Sequence, residues 1–378
     1  MTVRKKCPST PPRYSTRSDM KIPVRNLWLL QLFASHLYRH AGDEFAGAER
    51  LPEDIPELVA GMLAEEVMTR LHSGLSVGFV RTSEDVRRVR GRIDLLGTTR
   101  DRLLERGKVR CRFDDIVTDT PGNRLVREGL QRADALLPDN PLFRSLVLQL
   151  QAAGVTGPPP NPNVARSLRR QRLLAQDHRM LTLAELLLSL SIPDQSDDEF
   201  AMVSPDDSDG YLRKLFEHAA HGFYEHSLGR RGWQVDHGKR LNWDAQNGTE
   251  RIHEIFPGMQ TDVILRAPSP GATGVRRKIV IDTKFNRVVV AGFHREETLR
   301  SGYVFQIYAY LMSQHGKDEE HRRAEGLLLH PVVDGHVDEE ITIQGHRIRF
   351  ATVDLRESAM TIAKQLSDAV SERNSSET

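Results

Sequence analysis

The chain has 378 residues, more than one ordinary hydrophobic core organises, so at least two domains are expected. Hydrophobic residues make up 39% and charged residues 28%, the balance of a folded soluble chain rather than a disordered one. Lys and Arg number 53 against 52 Asp and Glu, so contact with nucleic acid has to come from local patches and not from a global positive field.

Residues 1–20 read as a basic tail: Arg4, Lys5, Lys6, Arg13 and Arg17 lie among Pro, Ser and Thr with little to bury. No apolar signal core follows them, and Met20 stands just before the first folded landmark, so residues 1–19 are either an extension or a mis-assigned start. Cys7 and Cys111 are too few and too far apart for a disulfide framework or a cysteine zinc site. Folding begins at Ile22-Pro23-Val24-Arg25-Asn26. The stretch from Leu27 to Tyr38, apolar nearly all round, predicts a buried helix.

A helix is expected near 55–71. Over 86–95, Arg88, Arg90, Arg92 and Asp94 alternate with Val89, Gly91, Ile93 and Leu95, which predicts a strand with one charged face. That face contacts phosphates or a protein partner, or is simply solvated. Pro121-Gly122 makes a turn, and Asn123 is the expected N-cap of a helix to Leu137. A proline-rich break at 158–162 precedes Arg166, Arg169, Arg170 and Arg172, a short helix whose charge reads as a solvated face. The apolar stretch around Met180–Ile192 contains Glu185 and is too short to span a bilayer. A soluble, cytoplasmic protein is expected.

Seven carboxylates and no Lys or Arg lie between Asp194 and Asp209, which marks a link between domains. An N-terminal mixed α+β domain is therefore expected over 21–195 and a C-terminal domain over 205–378. In the latter, a helix over 210–228 has Asp207–Asp209 at its positive end. Strands follow near 232–243, 260–267 and 277–285, the last two joined by a turn through Pro268-Ser269-Pro270-Gly271 and Gly274. A helix over 302–313 and a strand over 326–330 complete an α/β sandwich around one sheet.

The chemistry concentrates in that hairpin. Asp262 stands near the start of one strand, and the next, wholly apolar at Ile279-Val280-Ile281, ends with Asp282-x-Lys284. Asp282 and Lys284, two apart, share a strand face. Converging carboxylates repel, a hard cation such as Mg²⁺ relieves the repulsion, and a lysine adds fixed charge near a phosphate. The bland alternative is a strand-end Asp and a surface ion pair, since Asp-x-Lys alone is common. Gln306 and Tyr310, four apart on the following helix, share the face that meets the sheet and favour a phosphodiester-hydrolysing site.

Asp262, Asp282-x-Lys284 and Gln306-x-x-x-Tyr310 resemble the PD-(D/E)XK nuclease motif in the form with a trailing Gln-x-x-x-Tyr helix. Over nearly the whole chain the sequence is similar to the McrC family, nuclease subunits of modified-cytosine restriction systems. Ile22-Pro23-Val24-Arg25-Asn26-Leu27, Arg90-Gly91-Arg92-Ile93-Asp94, Asn123-Arg124-Leu125 and Leu241-Asn242-Trp243-Asp244-Ala245 match family landmarks in order. The resemblance implies a restriction-endonuclease-like C-terminal domain in which Asp262 and Asp282 bind Mg²⁺ and Lys284 serves catalysis. Glu217 takes the place of a supporting acid at a position that varies in the family. Thr261 stands where Pro is usual, and the 267–276 connection is longer and more basic than expected.

His218, His221 and Glu225 share a helix face, but histidines at this spacing pack or face solvent more often than they bind metal. No Gly-x-x-x-x-Gly-Lys-Ser/Thr occurs, so the chain is not expected to hydrolyse nucleotides itself. The resemblance implies a separate McrB-like AAA+ GTPase that reads modified double-stranded DNA, with residues 21–195 docking on it and stimulating it. The alternatives are a non-catalytic adaptor of such a motor and, against the neutral charge balance, a stand-alone DNA-binding module.

Overall fold

The computed structural model describes residues 22–41, 52–168, 175–190, 205–243, 247–270, 274–291, 297–333 and 335–372. The tail 1–20, Arg169, Arg170, Arg172 and the acidic residues 194–204 lie outside them. The chain divides into two compact units: Leu27–Ile192, and Pro193–Thr378 together with the residues up to Asn26.

The elements of the first part of the chain are α1 (Val24–Ala34), α2 (His36–Ala41), α3 (Ile55–Ser73), β1 (Gly78–Val86), β2 (Arg92–Ile93), α4 (Leu95–Arg100), β3 (Val109–Val117), α5 (Pro121–Leu136), α6 (Pro141–Ala152), α7 (Pro162–Leu168) and α8 (Ala175–Ser189). Helices α3, α5, α6 and α8 pack together and bury Val59, Leu63, Leu130, Leu150, Leu183 and Leu187. Beside them lies an antiparallel sheet in the order β1-β3-β2.

The strand expected over 86–95 is not continuous. Gly91 has φ 68°, and a Cβ there would sit 2.6 Å from the Arg112 carbonyl oxygen, so the chain turns: Val86 ends β1 opposite Val109, and Arg92–Ile93 pair with β3 separately. Arg90 bonds Asp115 at 2.8 Å and lies 4.1 Å over the Phe113 ring, while Arg92 stands opposite Arg112. The four charged residues therefore do not form one strand face. Helix α5 starts two residues earlier than expected, because Pro at the first helical position needs no N–H partner. Thr120 is its cap, accepting from the Asn123 N–H at 3.1 Å, and buried Asn123 instead donates to the Ser76 and Thr118 carbonyls.

The second unit holds α9 (Pro205–Gly229), β4 (Gln234–His237), β5 (Arg240–Leu241), α10 (Ile252–Ile255), β6 (Met259–Gln260), β7 (Val263–Pro270), β8 (Arg276–Thr283), β9 (Val289–Ala291), β10 (Glu297–Leu299), α11 (Ser301–Met312), α12 (Glu319–Arg322), β11 (Glu325–Pro331), β12 (Asp338–Ile343), β13 (His346–Val353) and α13 (Ala359–Val370). Asp207–Asp209 lie inside α9 rather than before it. The expected 232–243 strand breaks at Gly238 (φ 61°), whose N–H turns to the Asp262 carbonyl at 3.0 Å, giving β4 and β5. Pro268–Pro270 belong to β7, past a register irregularity, and not to the turn.

Six strands form one mixed sheet in the order β12-β13-β11-β8-β7-β4, with β8, β11 and β13 parallel. Ile279–Ile281 and Leu327–Leu329 are buried on both faces, as central parallel strands require. On one face Val280, Leu328, Ile348 and Phe350 pack against Ile307, Tyr310 and Leu311 of α11. Gly326 lets α11 approach: a Cβ there would meet Ile307 Cγ1 at 2.8 Å. Arg349, pointing the other way, donates to the Asp368 carbonyl of α13, and α9 joins α13 through the Tyr224 hydroxyl, which donates to the Leu366 carbonyl at 2.9 Å. Helices thus cover both faces of a mixed α/β fold. No helix among the described residues is long and apolar enough to cross a membrane.

Candidate active site

The pairing of β7 with β8 begins at Val263 opposite Ile281, so Asp262 and Asp282 both lie just beyond the ladder, where β7 enters and β8 leaves. The Thr283 N–H has no β7 carbonyl to meet there. It donates instead to Asp262 Oδ2 at 2.7 Å, and the Thr283 hydroxyl donates to the same oxygen at 2.8 Å, which fixes the Asp262 carboxylate. Asp282 shares the face of Val280 beneath α11 and is 1% exposed. Lys284 Nζ lies 2.7 Å from Asp282 Oδ2, so the ammonium and the buried carboxylate form an ion pair.

Burial dominates the electrostatics. It raises the Asp262 carboxyl above its ordinary value, with Glu217 adding to the effect and Thr283 and Lys284 opposing it. It pushes Asp282 up to about 6; Lys284 opposes this, and the Asp262 and Glu217 charges add to it. Tyr310 is raised by burial and by both aspartates. The two aspartates therefore feel the Glu217 charge, and Tyr310 feels both aspartates.

Glu217 comes from α9. Its Oε1 is 3.1 Å from His237 Nε2, a contact that holds its carboxyl below the ordinary range. The neighbouring Phe216 packs edge-on against Phe285 at 5.9 Å, which ties α9 to the segment just past Asp282-x-Lys284. On α11, Gln306 Nε2 donates to the Tyr310 hydroxyl at 2.6 Å. The structure thus gathers all six site residues expected from the sequence around the end of β8.

A hard cation fits this donor set. Among the described residues no three His, Cys, Asp or Glu side chains cluster tightly enough to enclose a metal. Mg²⁺ does not need such a cage, because it takes one or two carboxylates and keeps several waters. The buried Asp282 carboxylate, repelled by a second carboxylate and drawing the Lys284 ammonium to 2.7 Å, is a place for positive charge. His218, His221 and Glu225 do not make a metal cluster. His237 instead packs against His218 and His221 with ring centroids 5.0 and 4.6 Å away, and His221 lies 3.6 Å from Glu225.

Three residues beside Lys284 escaped the sequence reading: Asn286, Tyr303 and His330. Asn286 Nδ2 donates to the Tyr303 hydroxyl at 2.5 Å, His330 Nδ1 bonds the Asn286 carbonyl at 2.9 Å, and Lys284 Nζ lies 5.3 Å from the Tyr303 ring centre. Tyr303 was discoverable, being three residues before Gln306 and seven before Tyr310 on one helical stripe. Nothing in the sequence marks Asn286 or His330.

A mixed sheet covered on both faces, with a buried and a half-buried carboxylate and a lysine at the end of a central strand, defines an α/β protein with an acidic centre beside a lysine. The sequence pattern of the McrBC 5-methylcytosine restriction system component family matches residues 11–331. The chain belongs to that family. It is 22% identical over 358 residues to the type IV methyl-directed restriction enzyme EcoKMcrBC of Escherichia coli (strain K12), covering 93% of this chain and 98% of that relative. Among solved structures it is similar to a half-complex of Thermococcus gammatolerans McrB AAA+ hexamers with bound McrC, at 13% identity and a TM-score of 0.40, over 84% of this chain and 68% of that one. A second structure, the Thermococcus gammatolerans McrBC complex, matches at 17% identity and a TM-score of 0.34 over 57% of this chain and 60% of that one.

Proposed function

We propose that this chain is the DNA-cutting subunit of a modified-cytosine-dependent restriction system. In this reading it is an Mg²⁺-dependent endodeoxyribonuclease with a PD-(D/E)XK-type site, working in the cytoplasm beside an McrB-like AAA+ GTPase. Membership of the McrBC family supports the system and the partner. The observation that carries the chemistry is the meeting of Asp262, Asp282 and Lys284 at the end of β8, with Lys284 Nζ 2.7 Å from the buried Asp282 carboxylate.

Asp262 and Asp282 would hold Mg²⁺, which when bound supplies Lewis acidity and lowers the pKa of its water. Thr283 keeps the Asp262 carboxylate aimed by two hydrogen bonds. Lys284 brings a fixed positive charge to the scissile phosphate. Glu217, held by His237, is the supporting acid on the α9 side, and Gln306 and Tyr310 wall the site from α11. Residues 21–195 are assigned to docking on and stimulating the motor, and 205–378 to cutting. Phe79 and Ile116, 73% and 62% exposed and directly opposite on β1 and β3, give the N-terminal sheet an apolar spot suited to docking.

A second reading, a non-catalytic adaptor of the motor, draws support from the Lys284–Asp282 ion pair at 2.7 Å, which neutralises the buried carboxylate without a metal. Cleavage of modified plasmid DNA, with and without Mg²⁺ and in the presence of the partner motor, separates the two. The nuclease reading expects metal-dependent double-strand cuts; no cutting under any of these conditions leaves the adaptor.

A further inference from the structure

Beside Lys284 lie polar groups that the chemistry above does not use. The parallel register of β8 and β11 sets Leu328 beside Asp282 and Leu329 beside Thr283, and the Lys284 N–H continues it by donating to the Leu329 carbonyl at 2.9 Å. One step further puts His330 beside Lys284, on the face that Asp282 shares with α11. His330 is fully buried. Its Nδ1 faces the Asn286 carbonyl, so Nδ1 carries the proton and Nε2 is a lone-pair acceptor. That Nε2 is buried with no hydrogen-bond partner, and so is Oδ1 of Asn286. Tyr303 closes the group, with its hydroxyl on Asn286, its ring centroid 5.9 Å from that of His330, and the Lys284 ammonium 5.3 Å from the same ring centre.

Buried acceptors with nothing to accept are costly, and native structures keep few of them. Both of these lack a donor, and the charged donor that the register brings alongside is the Lys284 ammonium, which has three protons. Held by Asp282 alone, that charge is neutralised by its partner. Held by neutral acceptors and a ring face, it stays available to a phosphate oxygen. We propose that His330, Asn286 and Tyr303 are positioning residues that give the Lys284 ammonium a neutral cradle beside Asp282, a role whose purpose rests on the nuclease reading. Burial holds the His330 imidazole down to about 4, with the Lys284 and Arg300 charges adding to the effect, so near neutral pH it remains an acceptor and does not repel the ammonium.

The test uses the full chain. Acylation by a small amine-reactive ester, read by mass spectrometry, reports on the Lys284 ammonium itself, with Lys364, whose side chain is 75% exposed, as internal reference. Tyr303→Leu and Asn286→Ala change half-buried side chains, and thermal melts report whether each variant is folded; His330→Leu is paired with His330→Gln, which keeps an acceptor. We expect Tyr303→Leu, Asn286→Ala and His330→Leu to raise Lys284 acylation relative to Lys364 by roughly threefold or more, the size of a lost cation–π or neutral hydrogen-bond contact. His330→Gln is expected to stay within about twofold of the parent. Unchanged Lys284 acylation in Tyr303→Leu and Asn286→Ala, both with parental thermal melts, overturns the cradle.

Cleavage by the same samples, with the motor present, reads the purpose. A fall in kcat at unchanged KM supports it, and parental kcat in variants with raised acylation overturns it. A parental protein that cuts no DNA removes the nuclease reading and leaves acylation to decide the cradle.

Discussion

Burial pushes the Asp282 carboxyl up to about 6 from 3.8, and that has a stability consequence. Between these values the folded chain holds a proton that the unfolded chain has released, so in metal-free buffer stability falls as pH rises through the window. Asp282→Asn removes the titrating group. It is expected to flatten that decline and to raise stability at pH 7 by about 1–3 kcal/mol, while abolishing cleavage. Thermal melts between pH 4 and 7 in chelator check it; a variant that keeps the parental decline contradicts a carboxyl raised by burial. At this scale the sequence was most informative where chemistry and spacing coincide. Asp282-x-Lys284 and Gln306-x-x-x-Tyr310 each lie within one element, so a strand or helix period places them. Asn286 and His330 are 44 residues apart and meet through a backbone carbonyl, which no side-chain pattern records.

The central strand β8 carries a second buried charge, on Lys278, opposite Arg266 on β7. Burial and the Arg266 charge bring its ammonium down to about 8 from 10.5. Between those values the unfolded chain holds a proton that the folded chain lacks, so stability rises with pH across that window. Lys278→Met, of similar length and apolar, is expected to add about 1–3 kcal/mol at pH 7 and to remove the alkaline rise. Chemical denaturation at pH 7 and 9.5 decides it; a destabilised variant contradicts the desolvation account.

Helix α11 gives a coupled test. Gly326→Ala places a methyl 2.8 Å from Ile307 Cγ1 and pushes the helix off β11. A loss of about 1–3 kcal/mol is expected, together with a drop in cleavage, because Tyr303, Gln306 and Tyr310 move with the helix. Stability lost with cleavage rate intact contradicts the role given to α11. The β7–β8 hairpin and α11 were legible because apolar runs and turn residues bound them. The 86–95 strand was misread because alternation alone does not reveal the positive φ of Gly91. The β12–β13 pair and α13 were not anticipated; only the capping of α13 by Ser358, which accepts from the Thr361 N–H, leaves a local signal.

For the whole molecule, the two compact units and the proposed division of docking from cutting lead to the expectation that cutting and motor stimulation separate. Asp282→Ala and Lys284→Ala remove charge at the end of β8, within the Pro193–Thr378 unit. In the proposed reading both variants therefore raise the motor's GTP turnover to the same extent as the parent. The most direct measurement is paired: cleavage of modified plasmid DNA and GTP turnover, with Mg²⁺ and the cognate motor, for the parent and both variants. The account predicts that cleavage falls by on the order of a hundred- to a thousand-fold in each variant while turnover is unchanged. Parental cleavage by Asp282→Ala would contradict it.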